Sequence, residues 1–164
     1  PGAEPPPLLL AALGPAMLRL AGERANGAVT AFTGPKAIAD HIVPKLSQAA
    51  ATSGKADPRV AAGITVCVTN DVAGIRAAMA EQFGFFGEMP SYRAMLDLEG
   101  VVGVEDVAIV GNEAAIEREV RRYADAGATE LIVSLFGSES DRVRTVELMG
   151  ELARAAGRVA TATA

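Results

Sequence analysis

The chain has 164 residues and a mass of 16.8 kDa, which suits a single domain with a sizeable core. Half of the residues are hydrophobic and 4% are aromatic, which excludes the disordered class and favours helices packed closely on a sheet. The net charge of −5 and the pI near 4.9 argue against a nucleic-acid or anionic-membrane partner, because such partners require a basic surface.

The cysteine content and the lengths of the apolar runs bear on disulfides, metal sites and membrane spans. Cys67 is the single cysteine, so the chain has no internal disulfide framework, and this fits a reducing, cytoplasmic location. With Cys67 and the single histidine, His41, the usual zinc ligand sets cannot be assembled, so no metal site is predicted. No stretch approaches the ~20 apolar residues of a membrane span, since Gly14 and Pro15 interrupt the longest one.

The first half of the chain repeats one pattern: an apolar run, a polar or glycine junction and then a helix. In chain order it predicts a strand at 8–13, a helix to about residue 26, a strand at 28–33, a helix over about 36–47, a strand at 60–68 and a helix over about 72–82. Pro44 is expected to kink the second helix or to end its regular part. Thr69, Asn70 and Asp71 form a good start for the third helix.

The second half departs from this pattern before it returns to it. In chain order it predicts loops around one short helix at 91–99, a helix that Asn112 caps, a strand at 130–136 and a last helix to about Ala155. Gly100 is expected to end the short helix. Ser138 and Asp141 have the spacing of a capping box for the last helix.

Strands that alternate with helices predict an α/β protein of parallel β/α units with right-handed crossovers. Two architectures accommodate four such strands: a small doubly wound sheet, or part of an eight-stranded β/α barrel, which typically needs ~250 residues. In both, ligands bind beyond the carboxyl ends of the strands. We treat 1–164 as one domain or half-barrel, with a leader (1–7), three strands and two helices (8–69), a helix with a lid-like insertion (70–111), a helix–strand–helix unit (112–156) and a frayed tail (157–164).

The first junction, "LGPAM" at 13–17, has the features of an anion site. Gly14 lets a ligand oxygen approach the backbone, and Pro15 suits the first position of a helix. The next free amides, of Ala16 and Met17, would point out of the helix start towards an anion, aided by the helix dipole. A Gly-Pro pair also commonly marks an ordinary turn, and from the residues alone a turn without a ligand is the favoured interpretation of this junction.

The second junction, "TGP" at 33–35, repeats this chemistry and adds a hydroxyl group. Lys36 follows it and could reach a phosphate or carboxylate, but a surface pair with Asp40, four residues on, is the favoured interpretation. For Thr33, a ligand contact and an ordinary helix start stay open.

Three further groups are interpreted as structural, so no catalytic residue is predicted. His41 lies mid-helix beside Asp40, away from every strand end, which favours a surface position. Cys67 lies among valines, which favours core packing. The acidic pairs Glu105-Asp106 and Glu139/Asp141 suit helix starts, where the dipole favours negative charge.

The segment "FFGEMPSYR" at 85–93 gathers much of the limited aromatic content in a stretch that interrupts the β/α rhythm. Phe85, Phe86, Met89 and Tyr92 would act either as a lid over a ligand or as a small satellite core. The residues leave both interpretations open.

Five stretches in succession resemble a known family. They are "LLLAALGPAMLRLAGERANGAV", "TGPKAIADHIVPKL", "RVAAGITVCVTNDV", "PSYRAMLDLEGV" and "YADAGATELIVSLFG". Together they resemble the carboxy-terminal half of the luciferase-like flavin and deazaflavin oxidoreductases, above all the branch that uses coenzyme F420. The resemblance covers about 8–155 and implies that the predicted strands are the fifth to eighth of a TIM-type (β/α)8 barrel.

The resemblance also implies a role for the first junction. In deazaflavin-using relatives the loop after the fifth strand binds the phosphate-bearing tail of the cofactor through backbone amides. That role falls on Leu13, Gly14, Ala16 and Met17, with Pro15 shaping the turn. The resemblance also makes residues 31–33, in the loop after the sixth strand, candidates for the rim of the reacting face. Substrate contacts are expected, more loosely, at Thr33 in this loop and at Tyr92 in the aromatic segment.

The first four barrel strands, which in this family carry much of the ring pocket, have no counterpart in the sequence. We therefore expect this chain to be inactive alone. Three situations stay open: a fragment of a longer enzyme, a partner chain that supplies the missing N-terminal half, or pairing with a second copy as a homo-oligomer. The implied function is hydride transfer between reduced F420 and a small organic substrate. The alternatives are an FMN-dependent monooxygenase of the same fold and a non-catalytic half-barrel assembly module.

Overall fold

The computed structural model describes the backbone of residues 6–162 and the side chains of residues 6–157. Its strands are β1 (Leu10–Ala11), β2 (Gly27–Ala31), β3 (Arg59–Val68), β4 (Ile109–Gly111) and β5 (Glu130–Leu135). Its helices are α1 (Pro15–Arg24), α2 (Pro35–Ala37), α3 (Val43–Thr52), α4 (Val72–Phe83), α5 (Pro90–Glu99), α6 (Val104–Val107), α7 (Glu113–Asp125) and α8 (Glu139–Ala162). Most of the predicted leader and the last two residues of the predicted tail lie outside the described residues.

The strands form one parallel sheet around β3, the longest of them. β1 pairs with β2, β2 pairs with the first half of β3, and β5 pairs with the opposite edge of β3. Backbone groups along a strand point alternately to its two edges. The amides of Arg59 and Thr69 therefore share an edge, and they donate to Asn26 beside β2 and to Gly111 in β4 respectively. β4 thus continues the β2 side of β3 beyond the point where β2 ends.

The predicted parallel β/α architecture is confirmed, with two corrections to the strands. The first strand is confined to Leu10–Ala11 rather than 8–13, because only these two residues pair with β2. The structure has a fifth strand, β4, which the sequence analysis did not predict. Its three residues are too few to display an alternating pattern, so only their pairing with the end of β3 identifies them.

The main core lies between one face of the sheet and the helices. Alternate β3 residues, from Val60 to Val68, pack there with buried side chains of α1, α3 and α7 such as Leu18, Leu46 and Ile116. On the opposite face, Cys67 packs with Met79 and Ala108 under α4. Burial raises the pKa of the Cys67 thiol to about 11, and the predicted core role of this cysteine is confirmed.

Helix α1 packs against α3 at very short range. A Cβ atom on Gly22 would lie 2.6 Å from the Cβ of Ala49 and 2.6 Å from the carbonyl oxygen of Leu46. Glycine is therefore required at this position by the approach of the two helices rather than by a turn. This contact holds the end of α1 against the middle of α3.

The helix after β2 is interrupted as Pro44 predicts. Between α2 and α3 the chain forms a single π turn over Ile38–Ile42, and the amide of Val43 donates to the carbonyl of Ile38. Proline has no N–H and crowds the preceding turn, so regular α-helical bonding is disturbed just before it. The extra residue of the π turn changes the direction in which the neighbouring side chains point.

The predicted helix ends are confirmed at four places. Asp71 and Asn112 accept hydrogen bonds from Gly74 N–H and Ala115 N–H. Gly100 ends α5 with a φ of 85°, and Ser138 and Asp141 form the reciprocal capping box. The position of the last helix end is wrong, because α8 continues through Ala162 instead of fraying from residue 157. Among the described residues, no helix has both the length and the apolar character needed to cross a membrane.

One side of the structure is open. Among the described residues, no strand pairs with the outer edge of β1 or of β5. Ile132 on β5 is 48% exposed, and Val143 and Val146 on α8 are 52% and 54% exposed. Open edges and bare apolar side chains of this kind are places where further protein packs.

An ion pair at the base of the sheet makes stability depend on pH. Arg59 on β3 donates two hydrogen bonds to the carboxylate of Glu130 on β5, and hydrogen bonding from Arg59 lowers the pKa of Glu130 from its ordinary 4.5. The stabilisation is therefore present above pH 4.5 and is lost as the pH falls through the lower, folded-state pKa. We expect Glu130→Gln to lose less stability on acidification than the unsubstituted chain, as measured by urea unfolding between about pH 6 and pH 3. Identical acid dependence of the two proteins would contradict this assignment.

Candidate functional site

A groove of about 310 Å³ lies at the carboxyl ends of β1 and β2, between the start of α1 and the start of α5. This is the end of a parallel sheet where ligands bind. Its lining includes Leu13, Gly14, Met17, Ala31, Ser91 and Tyr92. The structure thus brings together the first predicted junction and the aromatic segment, which lie far apart along the chain.

Gly14 has no structural need to be glycine. Its φ of −77° and ψ of 157° are ordinary extended values, and a Cβ atom added to it would meet nothing within 4 Å. Pro15 occupies the start of α1, and no side chain caps this helix end. The amides of Ala16 and Met17 in this first turn lack intrahelical partners, and the turn has no acidic residue. The site therefore offers free N–H groups, a positive helix end and room for an anion.

His41 contacts this loop, contrary to the surface position that the sequence favours. Its Nε2 atom lies 2.9 Å from the carbonyl oxygen of Leu13, and the side chain is half-buried. The prediction that His41 lies away from every strand end is wrong. The π turn and the close packing of α3 on α1 bring its ring to the end of β1.

The second junction is filled by a side chain of the protein itself. The carboxylate of Glu99, at the end of α5, accepts a hydrogen bond of 2.9 Å from the amide of Ala37, and a Cβ on Gly34 would lie 2.2 Å from its Cδ. Lys36 pairs with Asp40 at 3.1 Å, as predicted, and also donates to the carbonyl of Leu98. The two Gly-Pro junctions therefore differ: the second carries an internal anion, whereas the first is open.

Thr33 lies inside the protein rather than in the groove. Its side chain is 2% exposed, and its hydroxyl donates to the carbonyl of Ala31 at 3.0 Å. Its own carbonyl accepts a hydrogen bond from the buried hydroxyl of Tyr123. The predicted substrate contact at Thr33 thus gains no support from its position.

Tyr92 forms one wall of the groove as part of an aromatic cluster. Its ring makes edge-to-face contacts with Phe32 at 5.5 Å and Phe86 at 5.4 Å, while Phe85 is 61% exposed. The aromatic segment 85–93 therefore packs as a small satellite core, and the side of it that carries Tyr92 borders the groove, where a lid would lie. Phe32, one of the rim candidates at 31–33, follows β2 with a left-handed φ of 50°. The sequence analysis missed Ser91, which lies beside the groove at the start of α5. Ser91 does not stand out in the sequence, because its neighbours in space come from other elements.

The sequence model of the luciferase-like monooxygenase family matches residues 1–130 of the chain. The chain belongs to the luciferase-like monooxygenase family. No protein of curated function matches the sequence itself.

Solved structures give the same fold for this luciferase-like chain. It superposes on an F420-dependent secondary alcohol dehydrogenase in complex with an F420–acetone adduct, with a TM-score of 0.67, 18% identity and coverage of 80% of this chain and 44% of that one. It superposes on the coenzyme F420-dependent tetrahydromethanopterin reductase from Methanopyrus kandleri with a TM-score of 0.61, 23% identity and coverage of 88% and 49%. It also superposes on the FMN complex of the oxygenating constituent of 3,6-diketocamphane monooxygenase from Pseudomonas putida. That superposition has a TM-score of 0.54, 21% identity and coverage of 77% of this chain and 41% of that one.

The luciferase-like chain spans about half the length of these solved structures. The predicted fold class, a β/α half-barrel of the TIM type, is confirmed by these superpositions together with the parallel sheet.

Proposed function

We propose that this chain is the carboxy-terminal half of a coenzyme F420-dependent oxidoreductase and supplies the loop that binds the cofactor phosphate. The observation that carries the proposal is the open first junction, where Gly14 has no structural need to be glycine. In an oxidoreductase family whose structural neighbours include F420 and FMN complexes, a phosphate-bearing cofactor is the natural occupant of that space.

The residues at the groove fit such a cofactor. The amides of Ala16 and Met17 can donate to phosphate oxygens, and the bare backbone of Gly14 allows those oxygens to approach. Pro15 removes one amide that would otherwise need a partner. Tyr92 and Leu13 offer apolar surface beside these donors. We assign the cofactor role to Leu13, Gly14, Pro15, Ala16 and Met17.

The chemistry of hydride transfer comes from the deazaflavin when it is bound, and the protein holds the cofactor against a small organic substrate. Within this half, the residues of the groove bind and orient the phosphate-bearing part. Tyr92 is proposed to contact the substrate or the cofactor from the aromatic wall of the groove. No side chain of this half is assigned to proton transfer.

An FMN-dependent monooxygenase is the second candidate, because one of the structural neighbours is an FMN complex. FMN also carries a phosphate, so the open junction supports both cofactors equally. Fluorescence titration of the folded chain, at a verified intact mass, with F420 and with FMN separates the two candidates. Preferential saturable binding of F420 supports the proposal, and preferential binding of FMN favours the monooxygenase.

The open side of the structure supports a partner that completes the barrel. We propose that the free edges of β1 and β5, with the exposed valines of α8, pack against the N-terminal half of the enzyme or a second copy of this chain. Sedimentation of the purified chain, alone and with cofactor, tests for self-pairing. A stable dimer with no affinity for either cofactor would instead support a non-catalytic assembly module. A cytoplasmic location is part of the proposal and rests on the single cysteine.

A further inference from the structure

We propose that His41 is a positioning residue for the phosphate-binding loop, holding the Leu13–Gly14 peptide in the orientation that frees the Gly14 amide for an anion. This inference rests on the proposed function, because it assigns a role within the same site. It concerns a residue that the sequence analysis interpreted as an ordinary surface histidine.

The hydrogen bond between His41 and Leu13 fixes one end of that peptide. A carbonyl oxygen only accepts, so the Nε2 atom of His41, 2.9 Å away, must carry the proton. In a planar trans peptide the carbonyl and the following N–H point in opposite directions. With the Leu13 carbonyl held towards His41, the Gly14 N–H is turned away from the histidine. It has no hydrogen-bond partner among the described residues.

The placement of His41 is specific. Among the described residues, it is the one side chain that hydrogen-bonds to the loop 13–17. It reaches the loop from 28 residues away in sequence, from within the π turn Ile38–Ile42. Single π turns inside helices occur often at functional sites, where they redirect a side chain. Here the redirected ring meets the backbone carbonyl directly before Gly14.

Substitutions at His41 can separate positioning from packing. His41→Phe keeps a ring but removes the donor, whereas His41→Gln keeps an N–H donor at about the reach of Nε2. His41→Leu serves as a second donor-free variant if the larger ring is not tolerated. Asp40→Asn is the matched control, since the neighbouring Asp40 is exposed and pairs with Lys36 rather than with the loop.

The first readout uses the cofactor-free chain. We expect the Gly14 amide resonance in ¹⁵N NMR spectra to move in His41→Phe and to return towards its original position in His41→Gln, with Asp40→Asn unchanged. The second readout is the Kd for F420 or FMN, whichever binds. It should rise about fivefold in the donor-free variants, the usual worth of one hydrogen bond, and by less than about twofold in His41→Gln. Thermal unfolding checks that each variant is folded.

The outcomes distinguish this inference from the proposed function. A Gly14 resonance and a Kd that are unchanged in folded donor-free variants would overturn the positioning role and leave the phosphate loop intact. Equal losses in His41→Gln and His41→Phe would also overturn it, because the donor would then be irrelevant. Failure of the unsubstituted chain to bind either cofactor would overturn both.

Discussion

Gly14→Leu is expected to reduce cofactor affinity by about 100-fold while leaving the fold intact. The leucine side chain would occupy the open space above the first turn of α1, where no protein atom lies within 4 Å of a Cβ. It would then deny the cofactor phosphate access to the amides of Ala16 and Met17. Two hydrogen bonds to a charged group contribute on the order of 3 kcal/mol together, which corresponds to about 100-fold in Kd.

The fold should tolerate this change because the backbone at Gly14 is in an ordinary extended conformation. Replacing glycine at the start of a helix by leucine costs about 1 kcal/mol at most. Gly84→Leu is a matched control, since Gly84 also has open space around its Cβ position and lies outside the groove. The Kd for F420 or FMN is measured for both variants. If Gly14→Leu bound the cofactor with the same Kd as Gly84→Leu, the proposal that the cofactor phosphate binds at the loop 13–17 would be wrong.

Gly22→Ala is expected to destabilise the protein by roughly 1–3 kcal/mol, the usual effect of overpacking a tight contact. Helix propensity alone predicts the opposite sign, a gain of about 1 kcal/mol, because alanine is the better helix former. The steric clash outweighs the gain in helix propensity, because the new methyl group would lie 2.6 Å from both the Cβ of Ala49 and the carbonyl oxygen of Leu46. Helices α1 and α3 would have to separate, and the His41 contact with Leu13 would lengthen.

The matched control is Gly150→Ala in α8. A Cβ at Gly150 would meet the mobile end of Arg154 at 3.5 Å, an ordinary contact, so this substitution should follow propensity and stabilise the protein. Urea unfolding of both variants gives the two free energies of unfolding. If Gly22→Ala stabilised the protein as Gly150→Ala does, the close packing of α1 on α3 would be wrong.

Local features of the fold are predictable from the sequence because their causes are local. Asp71, Asn112 and the Ser138–Asp141 pair cap the helices they precede through side chains within three residues of the amides they bind. Pro44 disturbs the helix around it for the same kind of reason, the lack of one N–H group. The short strand β4 was missed because its three residues are too few to show a pattern, and only their pairing with the end of β3 identifies them.

The candidate site is only half predictable, because its decisive contacts are long-range. The sequence presents two Gly-Pro junctions as equivalent, and the structure separates them through Glu99, which is 62 residues from the amide of Ala37 that it binds. His41 hydrogen-bonds to the Leu13 carbonyl only because α3 packs on α1, and no periodic pattern in the sequence predicts that contact. The position of the groove at the strand ends follows from the fold class, whereas its walls follow from packing.

Amide chemical shifts of the ¹⁵N-labelled chain, recorded while F420 is added to millimolar concentration, test the central claim most directly. At that concentration even a half-site with weak affinity is detected. The phosphate-loop proposal predicts saturable shifts at Gly14, Ala16 and Met17, with the Ala37 amide unmoved because Glu99 already accepts its hydrogen bond. Shifts centred on the second junction, or no shifts in the loop 13–17 of a folded chain, would contradict it.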